Sequence, residues 1–280
     1  MKFCDSHTDF LTAISSKEDR EKYVKKIKAC GGEIVSAAVF TTDKGFSEKN
    51  VEDYSREIRG VSAKYKLRLL LSIEDLGFVN KFEEIEKICA LKPLSATLTW
   101  NEENQFGGGA NSKTGLTEYG VRCVNFLEQE NVLIDTAHMS RKSFWDFCKL
   151  TLKPIYNSHC NICSLKKHAR NLTDKQIKRI VKSGGFMGLT FYDKFISNRK
   201  IFCKDVAAQF DYLIKHFGAD NFGIGSDLYG IEPEDLPLDF RGYEDLGNLE
   251  AELKKLGHNE KIIEKLFYKN FQDFLNRIKY

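Results

Sequence analysis

The chain has 280 residues, a formal charge of +3, 42% hydrophobic and 30% charged residues. That balance reads as soluble and globular with room for a sizeable core, and the charge is too small to call for a nucleic-acid partner. Eight cysteines without framework spacing, in a chain too long to need staples, point to reduced thiols and a cytoplasmic setting. The one C-x-x-C, Cys160 to Cys163, lacks the second pair of a zinc ribbon. No long apolar stretch opens the chain, no segment approaches 18 apolar residues and the last residues are charged, so neither export nor membrane attachment is expected.

In chain order, the first run is KFCDSH (2–7), and helical periodicity follows in REKYVKKIKACG (20–31). EIVSAAVF (33–40) reads as a strand, VEDYSREIRGVSAKY (51–65) as a helix, LRLLLSI (67–73) and SATLTW (95–100) as strands. TEYGVRCVNFLEQEN (117–131) is helical, and VLIDTAH (132–138) and PIYNSH (154–159) are extended. DKQIKRIVKSGG (174–185) precedes the strand GFMGLTF (185–191), and VAAQFDYLIKHFG (206–218) precedes NFGIGSD (221–227). Several of the helices end in Gly or Asn, as helix C-termini often do. With few prolines, no low-complexity segment and no shift in composition, residues 1–280 are expected to form one domain. Eight strands alternating with helices predict an α/β fold, a closed (β/α)8 TIM barrel. The alternative, an open doubly wound sheet, lacks a G-x-G-x-x-G after its first strand.

The titratable residues then gather at strand ends. His7 and Asp9, two apart on an extended segment, project to one side; Glu74, His138, His159 and Asp227 close later strands. All fall on the C-terminal rim, where barrel enzymes carry their chemistry. Three imidazoles and three carboxylates suit Zn²⁺, with Mn²⁺, Co²⁺ or Fe²⁺ as alternatives. Six ligands exceed the needs of one catalytic zinc, so a pair about 3.5–4 Å apart sharing a hydroxide is the economical reading.

The motifs DSHTD (5–9), SIEDLG (72–77), TLTWN (97–101), GLTEYG (115–120), LIDTAHMS (133–140), NSHC (157–160), ARNLTD (169–174) and GIGSDLYG (223–230) resemble, in order, those of the membrane (renal) dipeptidase family of zinc metallopeptidases, in its bacterial form. The resemblance covers nearly the whole chain. It implies that His7 and Asp9 hold one zinc, that His138 and His159 hold a second, and that Glu74 bridges them. It further implies that a bridging hydroxide attacks the scissile carbonyl, that Asp227 carries the proton to the departing amine, and that Arg170 pairs with the free carboxylate of a small dipeptide. A planar guanidinium suits that bidentate contact. One position departs from the animal-type pattern: Trp100 stands where a His helps hold the substrate carbonyl. Its indole N–H can replace that donor in part, or the ring can simply pack at the mouth.

Two rivals remain at this stage. Another metal-dependent amidohydrolase, such as a deacylase or lactonase, would normally begin with H-x-H, and here the earlier position is Asp5. A non-catalytic binding barrel is hard to reconcile with a complete ligand set. A homo-oligomer is compatible with the chain. His216 and His258 are expected at the surface, His168 near the pocket, and Gly107 to Gly109 in a flexible substrate loop rather than a P-loop.

Overall fold

The computed structural model describes residues 1–40 and 46–280. The eight expected strands form a closed parallel barrel in sequence order: β1 (Phe3–Thr8), β2 (Gly32–Val39), β3 (Arg68–Ile73), β4 (Ser95–Thr97), β5 (Leu133–Asp135), β6 (Tyr156–Cys160), β7 (Phe186–Leu189) and β8 (Phe222–Ile224). Pairing of Asp5 with Ile224 closes the ring. The helices are α1 (Phe10–Ala13), α2 (Lys17–Ala29), α3 (Glu48–Tyr65), α4 (Phe82–Ala90), α5 (Glu118–Gln129), α6 (Arg141–Leu150), α7 (Asp174–Lys182), α8 (Asp193–Ile196), α9 (Cys203–Phe217), α10 (Leu246–Lys255), α11 (Glu260–Glu264) and α12 (Asn270–Arg277). The fold is thus the expected (β/α)8 barrel.

Local chemistry sets the helix starts. Ser16 accepts from Asp19 N, Thr117 from Gly120 N and Thr173 from Gln176 N, each satisfying a backbone donor that the first turn leaves free. The helices bury their apolar stripes against the barrel through residues such as Ile27, Ile58, Ile85, Leu127, Ile180 and Leu213.

Inside the barrel two layers differ sharply. At the N-terminal end, Cys4, Ile34, Leu70, Leu133, Tyr156 and Phe186 pack on Phe271, Phe274 and Leu275 of α12, with the Tyr156 and Phe274 rings stacked at 5.6 Å. This plug closes the bottom, which leaves the C-terminal mouth as the way in. Above it the interior is small and polar. Ser6 Oγ donates to Ser158 O at 2.6 Å and to Ile224 O at 2.9 Å, and Tyr156 Oη donates to Ser6 O at 2.9 Å, so β1, β6 and β8 are tied across the barrel.

Gly188 faces this floor. A Cβ there would lie 2.0 Å from Ser158 O and 2.3 Å from Ser6 Oγ. Gly188→Ala is therefore expected to destabilise the fold by about 1–3 kcal/mol, the usual cost of overpacking. An unchanged urea midpoint would show that the floor has slack.

Several strands end earlier than the apolar runs suggest. Ladder pairing stops at Thr97, Asp135 and Ile224, so Trp100, His138 and Asp227 lie three residues beyond β4, β5 and β8. Asp9 also leaves the strand, at φ −100° and ψ 15° just before α1, so simple alternation does not align it with His7. The extended-segment reading of that pair is corrected accordingly.

Candidate metal centre

His7, Asp9, Glu74, His138, His159 and Asp227 converge at the C-terminal mouth. Glu74, the residue after β3, sits in the middle. Its Oε1 lies 2.7 Å from His138 Nε2 and 3.8 Å from His159 Nε2, while its Oε2 lies 3.3 Å from His7 Nε2. His7 Nε2 is also 3.3 Å from Asp9 Oδ2 and 3.7 Å from Asp227 Oδ1. The His138 and His159 Nε2 atoms are 2.9 Å apart.

Backbone irregularities aim these side chains. Between Asp5 and Thr8, β1 carries one residue more than β2, and between Asn157 and Cys160, β6 carries one more than β7. Each irregularity spans a Ser-His pair, Ser6-His7 and Ser158-His159, and such bulges re-aim side chains. His138 and Asp227 adopt φ of 64° and 63°, a left-handed conformation uncommon outside glycine and concentrated at functional sites.

Two buried aspartates that sequence reasoning passed over hold the frame. Asp5 accepts from His7 N at 3.0 Å, Ser226 N at 2.9 Å, Tyr243 Oη at 2.7 Å and the Ser226 hydroxyl, stitching β1 to the segment after β8. Asp135 accepts from Ala137 N and Ser158 N, both at 3.0 Å, fixing the residues that precede His138 and His159. Asn101 was also missed. Its Oδ1 accepts from His138 Nδ1 at 3.0 Å, which leaves the Nε2 lone pair facing the cavity, and Ser158 Oγ lies 2.8 Å from His159 Nδ1. The available signal was adjacency, since Asn101 and Ser158 stand inside the motifs TLTWN and NSHC.

Burial, reinforced by Arg170, pushes the His138 pKa down to about 3. Burial and the charge on His7 hold His159 well below its ordinary value. Neutral imidazole is the form that binds metal. Burial opposes charge on His7, yet Asp9 and Glu74 together hold its pKa well above the ordinary value. Burial likewise opposes ionisation of Glu74, but His7 and His138 keep its carboxyl well below the usual range. Burial, with Asp9 and Glu74 adding repulsion, drives Asp227 well above the carboxylate range. The carboxylates around His7 thus favour positive charge at the centre of the cluster, the environment a cation requires. Among the described residues, both His7 nitrogens and both Asp9 carboxylate oxygens are buried without a hydrogen-bond partner. Buried polar atoms normally have partners, and this N/O donor set fits a divalent ion such as zinc.

The cluster floors a cavity of about 420 Å³ whose walls include Phe40, Trp100, Tyr192 and Phe195. Arg170 is 6% exposed; its Nη2 donates to His159 O at 3.3 Å, its guanidinium lies 5.6 Å from the Phe195 ring centroid, and its Nε has no partner among the described residues. Trp100 also lines the cavity, as does His168, as expected. His216 stacks on Tyr212 at the surface. His258 departs from expectation: it is half-buried, with Nε2 3.1 Å from Asp211 Oδ1, because the α10–α11 turn folds onto α9. The glycine run is also corrected. Gly108 N donates to Gly115 O and Gly108 O accepts from Ser140 N, so the segment is pinned by backbone bonds, and its small residues serve close packing. All eight cysteines are free thiols. Among the described residues no helix is long and apolar enough to cross a membrane.

A closed (β/α)8 barrel with buried imidazoles and carboxylates at its C-terminal mouth is the arrangement of metal-dependent barrel enzymes. Residues 35–279 match the membrane dipeptidase family, peptidase family M19, and the chain belongs to it. An uncharacterized Klebsiella pneumoniae protein from the pqqA 5′ region is 29% identical over 215 residues, which cover 72% of this chain and 78% of that one. The barrel is similar to that of the metallo peptidase dipeptidase AC of the same family, with TM-score 0.85, 21% identity and coverage of 99% and 98% of the two chains. It is also similar to a Rhodobacter sphaeroides metallo peptidase liganded with a phosphinate mimic of the dipeptide L-Ala-D-Ala, with TM-score 0.83, 21% identity and 99% coverage of both chains.

Proposed function

We propose that this protein is a binuclear zinc dipeptidase that hydrolyses small dipeptides bearing a free C-terminal carboxylate. The observation that carries the reading is Glu74, whose two oxygens face different imidazoles, His138 on one side and His7 on the other, in the same cavity as a buried, incompletely paired arginine. In this reading His7 and Asp9 would hold one ion and His138 and His159 the other, with Glu74 shared between them. Metal ions held there would supply an activated water nucleophile at neutral pH and polarise the scissile carbonyl.

The chain's own groups do the rest. Arg170 binds the substrate carboxylate and so sets the scissile bond one residue away. Asp227, beside His7 and facing the cavity, takes a proton from the attacking water and delivers it to the amine nitrogen as the C–N bond breaks, releasing two amino acids. The plug formed by α12 supports reading residues 1–280 as one working unit. The family membership and the dipeptide mimic bound by the Rhodobacter relative also support the substrate class.

Glu74→Gln weakens an oxygen donor in both coordination spheres. Metal content and dipeptide hydrolysis should fall together. Full zinc occupancy with undiminished turnover would remove Glu74 from the centre.

A further inference from the structure

We infer that Phe40 and Trp100 form the subsite for the substrate's N-terminal side chain and make the enzyme selective for dipeptides with an aromatic N-terminal residue; this rests on the dipeptidase reading above. Barrel order supplies the direction. Arg170 follows β6 and lies by Phe195, which follows β7, whereas Phe40 follows β2 and Trp100 follows β4. In a closed ring of eight, β2 lies across from β6, so Phe40 stands opposite Arg170, and the ring contact of Trp100 with Phe40 extends that wall toward β4. A dipeptide with its carboxylate on Arg170 and its scissile carbonyl over Glu74 therefore directs its N-terminal residue at the Phe40–Trp100 wall.

The wall is aromatic and continuous. The Trp100 ring lies 5.3 Å from Phe40 at 33° and 5.8 Å from His138 at 26°, so a stack runs from the rim to the metal centre. Trp100 nevertheless keeps 38% of its surface exposed while lining the cavity, which leaves area for another ring to cover. Offset and edge-on contacts between aromatic rings add to the burial of area alone. The adjoining lining residues Asn101 and Asn111 are uncharged.

Trp100 is also held in place. Asn101 bonds His138 through its side chain and accepts from Asn111 N at 2.8 Å. Gly109 packs so closely that a Cβ there would lie 2.3 Å from Trp100 O. A wall whose backbone is fixed beforehand spends less ordering energy when substrate arrives, which favours selectivity there.

The test compares kcat/KM for Phe-Ala, Ala-Ala and Ala-Phe with the zinc-loaded full chain. Wild type should prefer Phe-Ala over Ala-Ala by at least about 10-fold, the lower end of what apolar pocket contacts deliver. In Trp100→Leu and in Phe40→Leu, each checked for folding by circular dichroism, that ratio should fall to within about threefold of unity, while the ratio of Ala-Phe to Ala-Ala stays as in wild type. A wild-type ratio near one, or a ratio preserved in both variants, overturns the subsite with the dipeptidase reading intact. Failure to cleave any of the three overturns the reading itself and the subsite with it.

Discussion

Replacing Asp227 by Asn should lower kcat by about 10² to 10⁴, the usual worth of a positioned acid–base group, while leaving metal content largely unchanged. Asp227 Oδ1 is 3.7 Å from His7 Nε2, farther than the Asp9 and Glu74 oxygens at 3.3 Å, and its backbone holds φ at 63° to face the cavity. A group at the edge of the cluster can carry a proton without bearing the ions. Asn keeps the shape and the carbonyl oxygen but cannot take up the proton. Loss of all metal in this variant would instead make Asp227 a primary ligand, which its grouping with His7 and Asp9 makes a meaningful alternative outcome.

Arg170→Met should reduce kcat/KM for a dipeptide by at least roughly 30-fold. Truncating one partner of a buried charge pair strands the other at a cost of about 2–5 kcal/mol, and about 1.4 kcal/mol corresponds to a factor of ten. The guanidinium is buried, donates to His159 O and leaves Nε without a partner among the described residues, so it has capacity for a ligand carboxylate. The control is the same dipeptide amidated at its C-terminus. Wild type should discriminate strongly against the amide, and the variant should barely do so. Equal wild-type rates on acid and amide would mean that the carboxylate is not read, and the substrate class would widen to amides in general.

The strands and the rim were legible because both depend on local pattern. A buried parallel strand must be a short apolar run, and a polar residue closing such a run has only the mouth to occupy. His159 within β6 and Glu74 just after β3 follow from that rule alone. What escaped was set by distant contacts. Asp5 is two residues from His7, yet its role rests on Ser226 and Tyr243, more than 200 positions away. The bulges spanning Ser6-His7 and Ser158-His159 arise from mismatched neighbours, which no single strand reveals. The glycine run looked like freedom because glycine is permissive; here it serves close approach of Gly109 to the Trp100 and Glu102 carbonyls. His258 looked like a turn residue, and only the packing of its turn on Asp211 buries it.

We propose that two metal ions shared through Glu74 make this barrel a dipeptidase. The most direct measurement is titration of the metal-stripped chain with Zn²⁺, following bound metal and dipeptide hydrolysis together. A binuclear centre should give no hydrolysis by the stripped chain, saturation at about two equivalents per chain and full activity only as the second site fills. Full activity in the stripped chain, or a chain that binds no metal, would contradict it.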